Sequence, residues 1–225
     1  MNFLFLHGLA GDSSDWKETS LLLESKGHNC LSISIPYLTS NFNSLDNLAE
    51  QLYIPKEFLG KNSIIVGNSL GGSLALKLGR YTKNIVLVAS YTTTSTEHIG
   101  RGMVTLNKEI SRIFFKPELL SHKKKNKYKN LWLDITSSKK EFSKLVKIKR
   151  IINQDNVNCL YKIFQNKIYA ICGENDKLSP LENFYNLQKD FPKIKLKIVN
   201  ECGHAIPLEK PKELSIILLN NILGE

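Results

Sequence analysis

The chain has 225 residues, 42% apolar and 23% charged, a balance that fits a soluble globular protein with one sizeable core. No apolar run approaches the ~18 residues of a membrane span, and the opening MNFLFLHG lacks a basic leader and reads as a strand rather than a signal peptide. The formal charge of +10 is uneven: residues 101–150 hold 15 Lys and Arg against 4 Asp and Glu, while the rest of the chain holds 16 against 17.

Apolar, β-branched runs predict strands at 2–6, 30–35, 63–67, 84–89, 167–172 and 194–199. Several are continuously apolar, as parallel strands covered on both faces must be. The strand at 2–6 runs into a loop, His7-Gly8-Leu9-Ala10-Gly11. Helical spacing follows over 14–26, and Trp16 reads as a packing residue that opens this helix. The strand at 30–35 ends in Ile35-Pro36-Tyr37-Leu38, and a helix is expected over 44–53. The strand at 63–67 then stops at Gly67, and the next helix, 70–81, begins three residues later.

After the strand at 84–89 the rhythm breaks. Residues 92–165 carry Lys-rich amphipathic pieces, such as HKKKNKYKNLWLDI, and are expected to form an inserted helical cap. The core is then 1–91 and 166–225. Beyond the strand at 167–172, Ser179-Pro180-Leu181-Glu182 reads as a helix start with a capping box. Pro211 opens a last helix over 211–223. Strands alternating with helices indicate an α/β class with a right-handed, doubly wound sheet. The four cysteines, Cys30, Cys159, Cys172 and Cys202, show no C-x-x-C spacing, which points to reduced, buried thiols in a cytoplasmic protein.

Gly67-Asn68-Ser69-Leu70-Gly71 lies between a strand and a helix. So tight a turn forces Ser69 into strained backbone angles, and the positions two before and two after it must be small. Gly67 and Gly71 supply this. The helix N-terminus behind the serine favours a developing oxyanion. The competing reading is a Gly-Ser turn that only lets a helix pack close.

A serine nucleophile needs a base, and the base needs an orienting acid. Of five histidines, His204 follows the last expected strand and falls on the same sheet edge as Ser69. His28 precedes a strand, on the opposite edge, and His98 and His122 fall in the cap. The acid candidate is Asp176, with Glu174 as its rival. The oxyanion donors are the backbone N–H groups of Leu70 and Leu9, with Gly8 allowing close approach and His7 bracing the loop. No His, Cys or Asp cluster has metal-ligand spacing, so neither a metal nor another cofactor is expected.

Four motifs in order, HGLAG at 7–11, GNSLGG at 67–72, GENDKLSP at 173–180 and GHAIPLEKP at 203–211, resemble the α/β-hydrolase superfamily. The resemblance implies that fold, with a mostly parallel sheet of about six strands and a cap at 92–165. Relatives commonly begin with two further strands, and many carry a D-x-P-G-x-G turn where this chain has Ile35-Pro36-Tyr37-Leu38. It also implies a serine carboxylesterase with Ser69, Asp176 and His204 as nucleophile, acid and base.

Phe114, Phe115, Leu119, Leu120, Leu131, Trp132 and Leu133 are candidates for an acyl pocket or for packing the cap. The basic stretch 101–150 reads as a solvated surface, as a docking face for an acidic partner, or as a nucleic-acid site without a recognisable module. The second fits a similarity to pimeloyl-acyl-carrier-protein methyl ester esterases, which meet an acidic carrier. The same scaffold also admits a carbon–carbon hydrolase, a menaquinone-pathway lyase or a non-catalytic ligand-binding protein.

Overall fold

A computed structural model describes residues 1–9, 11–90, 139–155 and 157–224. Its frame is one sheet of six parallel strands, β1 (Asn2–Leu6), β2 (Asn29–Ile33), β3 (Gly60–Asn68), β4 (Thr82–Val88), β5 (Ile168–Gly173) and β6 (Lys195–Val199). Each coincides with an apolar run read from the sequence. The expected strand at 30–35 stops at Ile33, and the Ile35 N–H donates instead to His7 Nε2 at 2.8 Å.

Among the described residues the α-helices are α1 (Lys17–Glu24), α2 (Leu45–Glu50), α3 (Leu70–Lys77), α4 (Lys139–Gln154), α5 (Asn158–Phe164), α6 (Leu181–Asp190), α7 (Ile206–Glu209) and α8 (Pro211–Ile217). Side chains alternate across a strand, which divides the core between two faces. Leu4 and Leu6 of β1 and Ile65 of β3 pack with Leu48 of α2, Leu74 of α3, Tyr161 of α5 and Leu187 of α6. Phe3, Phe5, Ile64 and Val66 point the other way, toward Leu23 of α1 and Leu214 of α8. Trp16 is fully buried on this second face and stacks on Phe5 with ring centroids 4.8 Å apart.

The strand order is β2-β1-β3-β4-β5-β6. The chain steps outward from β1 to β2, returns to the far side of β1, and then proceeds in order through β6. The direction of winding therefore reverses between β1 and β3. The connections after these two strands leave toward opposite faces, which opens a crevice at their C-terminal ends.

Of the expected cap, residues 92–138 lie outside the described residues, and with them His98, His122, the run 122–129 and the seven pocket candidates from Phe114 to Leu133. Its C-terminal part packs on the sheet body: Ile148 and Ile151 of α4 and Tyr161 of α5 are buried in the same cluster as Leu74 and Ile85. Lys77 ties this region down. Its side chain is 8% exposed, and its ammonium lies 2.8 Å from both Asp46, ahead of α3, and Asp155, between α4 and α5. Burial pulls the Lys77 pKa down, but the bonds to Asp155 and Asp46 outweigh it and hold the group above its ordinary value. Lys77→Ala would strand the Asp155 carboxylate, which is 12% exposed. Removing one partner of a buried pair costs about 3–5 kcal/mol. Because Asp46 is exposed, the expected loss is about 3 kcal/mol in a urea unfolding titration.

Two local readings are corrected. Ser179 does not cap α6: the hydroxyl donates to the Ala89 carbonyl at 3.3 Å, the residue preceding the helix is Pro180, and no side chain caps it. A bond to the end of β4 outcompetes a local cap that the sequence alone favours. All four cysteines are free thiols, but they are not all buried, since Cys159 on α5 is exposed. Burial, followed by the nearby Asp176 charge, pushes the Cys172 thiol up to about 12. Among the described residues no helix is long and apolar enough to cross a membrane.

Candidate active site

The C-terminal ends of β1, β3, β5 and β6 carry the serine, the two candidate acids, the histidine and the glycine loop read from the sequence. Ser69 stands between β3 and α3 with φ 52° and ψ −116°, a region that L side chains rarely occupy. Neighbouring backbone holds it there. The Ser69 N–H donates to the Val88 carbonyl at 3.0 Å, and the Ser69 carbonyl accepts from Ser90 Oγ at 2.7 Å. The end of β4 thus clamps the turn on both sides of the strained residue.

The glycines make room. A β-carbon on Gly67 would collide with the Gly71 carbonyl, and one on Gly71 with the Leu6 carbonyl at the end of β1. Gly72 is equally constrained, because its β-carbon would fall on the Ser90 side chain. The opposing atoms at Gly67 and Gly71 are backbone, so no rotamer change relieves the clash. Gly67→Ala is expected to destabilise the fold by about 4 kcal/mol, at the high end for single substitutions. A thermal melt compared with Ala75→Gly, which opens no clash in α3, tests this.

The loop after β1 comes against the turn at Ser69. A β-carbon on Gly8 would lie 3.2 Å from the Ser69 β-carbon and 3.0 Å from Asn68 Oδ1. His7, 2% exposed, is held between two backbone groups: Nε2 accepts from the Ile35 N–H, so Nδ1 carries the proton and donates to the Gly8 carbonyl at 2.8 Å. This fixes the course of the loop that presents Leu9. Leu9 is half-buried, and Leu70 is the first residue of α3. The leading N–H groups of a helix have no partner within the helix.

Asp176 and His204 meet across the other half of the crevice. His204 Nδ1 lies 2.8 Å from Asp176 Oδ2, and both residues are 5% exposed. The second oxygen, Oδ1, accepts from the N–H groups of Leu178 at 2.8 Å and Ser179 at 2.9 Å. Two fixed donors on one oxygen aim the other at the imidazole. Glu174, the rival acid, is turned away and accepts from the Glu201 N–H at 2.9 Å. There it steadies a turn in which Glu201 has φ 51°.

Asn68 is a residue that the sequence reading left without a role. Its amide donates to the Val88 carbonyl at 3.0 Å and the His204 carbonyl at 3.4 Å, which links the serine turn to the backbone of the histidine loop. Its position beside Ser69 was the available signal. Ser90 had none, since its contact spans 21 positions. Among the described residues no group of three or more His, Cys, Asp or Glu is placed to hold a metal ion.

A strained serine, a buried Asp–His pair and a glycine loop now occupy one edge of a parallel sheet. The model of the alpha/beta hydrolase family matches residues 3–215. The chain belongs to this family. This alpha/beta hydrolase is 25% identical over 238 residues to a Mycoplasma pneumoniae protein provisionally named esterase/lipase 2, covering 94% of this chain and 85% of that one. A shorter likeness, 33% over 87 residues, links it to a Haemophilus influenzae protein provisionally named 2-succinyl-6-hydroxy-2,4-cyclohexadiene-1-carboxylate synthase, covering 34% of this chain and 32% of the other. Among solved structures, a thermophilic esterase from Thermogutta terrifontis superposes with a TM-score of 0.75 at 14% identity, over 100% of this chain and 90% of that one. At such identity the likeness is one of fold.

Proposed function

We propose that this alpha/beta hydrolase is a serine esterase that cleaves a carboxylic ester through Ser69, His204 and Asp176. The observation that carries this reading is the 2.8 Å bond between Asp176 and His204, buried on the same sheet edge as the strained Ser69. Asp176 accepts the Nδ1 proton, which leaves Nε2 of His204 as the basic nitrogen. That nitrogen takes the Ser69 proton as Oγ attacks the ester carbonyl. The N–H groups of Leu9 and Leu70 receive the oxyanion, and Gly8 and His7 set the loop that offers the first of them. The protonated His204 then gives its proton to the departing alkoxide. Water repeats the cycle on the acyl-serine, returning the acid and free Ser69.

The Mycoplasma relative's name and the esterase fold of the Thermogutta structure are consistent with this chemistry. In the same reading the lysine-rich stretch 101–150 is where an acidic acyl carrier would dock, because clustered charge speeds encounter. The name of the Haemophilus relative, which matches 34% of this chain, supports a second reading, carbon–carbon bond chemistry in the same crevice.

The test is to treat wild-type protein with a fluorophosphonate probe and to measure turnover on p-nitrophenyl esters of graded acyl length. The esterase reading expects a covalent adduct on the peptide containing Ser69 and strong turnover of at least one ester. A labelled serine with weak ester turnover, but rapid conversion of a succinyl-cyclohexene or dienoic substrate, selects the second reading. Folded wild type that takes up no probe defeats both.

A further inference from the structure

His204 has a second carboxylate behind it. Glu209 closes the four-residue helix α7 and is 7% exposed. Its Oε2 accepts from the Gly203 N–H at 2.7 Å and its Oε1 from the Ala205 N–H at 3.1 Å. The two donors are the residues immediately before and after His204. The Cys202 thiol also approaches Oε2, at 3.8 Å. The Glu209 N–H in turn donates to the Ala205 carbonyl at 3.0 Å, so residues 205 and 209 bind each other in both directions.

Four residues are too few to sustain a helix unaided. A buried carboxylate is costly unless its lone pairs are filled, and charge-assisted N–H bonds are the strong ones. Glu209 therefore fixes the backbone on both sides of His204, while Asn68 holds the His204 carbonyl and Asp176 the ring.

We propose that Glu209 is a positioning residue for the reaction: by binding the N–H groups that flank His204, it keeps the imidazole aligned between Asp176 and Ser69. The proposal rests on the serine-esterase reading above. Glutamine at this position can accept from only one of the two N–H groups and must turn its amide against the other. Misplacing a catalytic group by about 1 Å costs on the order of 100-fold in rate.

The experiment compares wild type, Glu209→Gln and Glu209→Asp for the rate of fluorophosphonate labelling, for kcat and KM on p-nitrophenyl acetate, and for the low-field imidazole N–H proton resonance of the His204–Asp176 pair. Glu209→Gln is expected to lower the labelling rate and kcat by about 100-fold, to leave KM within about twofold, and to broaden the resonance. Glu209→Asp, charged but one methylene short, should lie between. Wild-type labelling rate and a sharp resonance in a folded Glu209→Gln overturn the proposal and leave the esterase reading standing. So does a change confined to KM. Wild type that resists the probe removes the esterase reading and this proposal with it. Should neither variant melt cooperatively, amide exchange in the wild type decides. The Gly203 and Ala205 N–H groups are expected to be protected like those of β6, and exchange at the rate of open loops refutes the role.

Discussion

Ser69→Ala is expected to abolish fluorophosphonate labelling and to lower ester turnover by on the order of 10⁶-fold in kcat. The substitution removes only a hydroxyl. The turn itself is held through the Ser69 backbone, whose N–H donates to the Val88 carbonyl and whose carbonyl accepts from Ser90 Oγ, and neither bond needs the Ser69 side chain. The fold should therefore survive, and circular dichroism and the thermal midpoint should match wild type. Alanine at φ 52° is no easier to place than serine, so any stability change should be small. A residual rate of about 10³–10⁴ over water is expected, since oxyanion donors and substrate binding persist without the nucleophile. A variant that keeps a tenth of wild-type turnover would show that Ser69 is not the attacking group.

The frame was legible because buried parallel strands are written as unbroken apolar runs. Phe3-Leu4-Phe5-Leu6 and Ile64-Ile65-Val66 feed both faces of the sheet, so neither alternates. Ser69 was legible because a strand-to-helix turn of that tightness leaves glycine as the residue that fits at 67 and 71. Asp176 was preferred to Glu174 from its place before a helix, but the bonds that part the two were only partly legible. Both follow β5 within a few residues. Asp176 is aimed by local bonds from Leu178 and Ser179, but Glu174 is drawn off by long-range ones: the Glu174 N–H goes to Val199, the Asn175 N–H to Cys202, and the Glu174 carboxylate to Glu201. No local pattern encodes those partners. The same holds for Ser179, whose hydroxyl is drawn 90 positions away to Ala89. Glu209 was hidden for another reason. In GHAIPLEKP nothing singles it out, and only the fold reveals that the helix is one turn long and closes on its own entrance.

Asp176→Asn separates orientation from charge. An asparagine fits the same space, but its two side-chain ends are no longer equivalent. The site decides which way it turns. Two N–H groups, from Leu178 and Ser179, converge on the Oδ1 position at 2.8 and 2.9 Å. They demand an acceptor, so the amide oxygen goes there and the NH₂ faces His204 Nδ1. Turning the amide over would set its NH₂ against two donors in a buried pocket, a worse loss than one bond. With a donor opposite it, Nδ1 must accept, and the ring proton moves to Nε2. A histidine protonated on Nε2 cannot take the Ser69 proton, and the imidazolium loses its compensating charge. The expected fall in kcat is about 10⁴-fold, with KM nearly unchanged. Because shape is kept, the thermal midpoint should move little, and the low-field Nδ1 proton resonance present in wild type should vanish. Asp176→Ala, which leaves the imidazole without a partner on Nδ1 but free to choose its tautomer, should lose no more than Asp176→Asn. If Asp176→Asn instead retains most of the activity while Glu174→Gln abolishes it, the orienting acid is Glu174 and the loop after β5 rearranges during turnover.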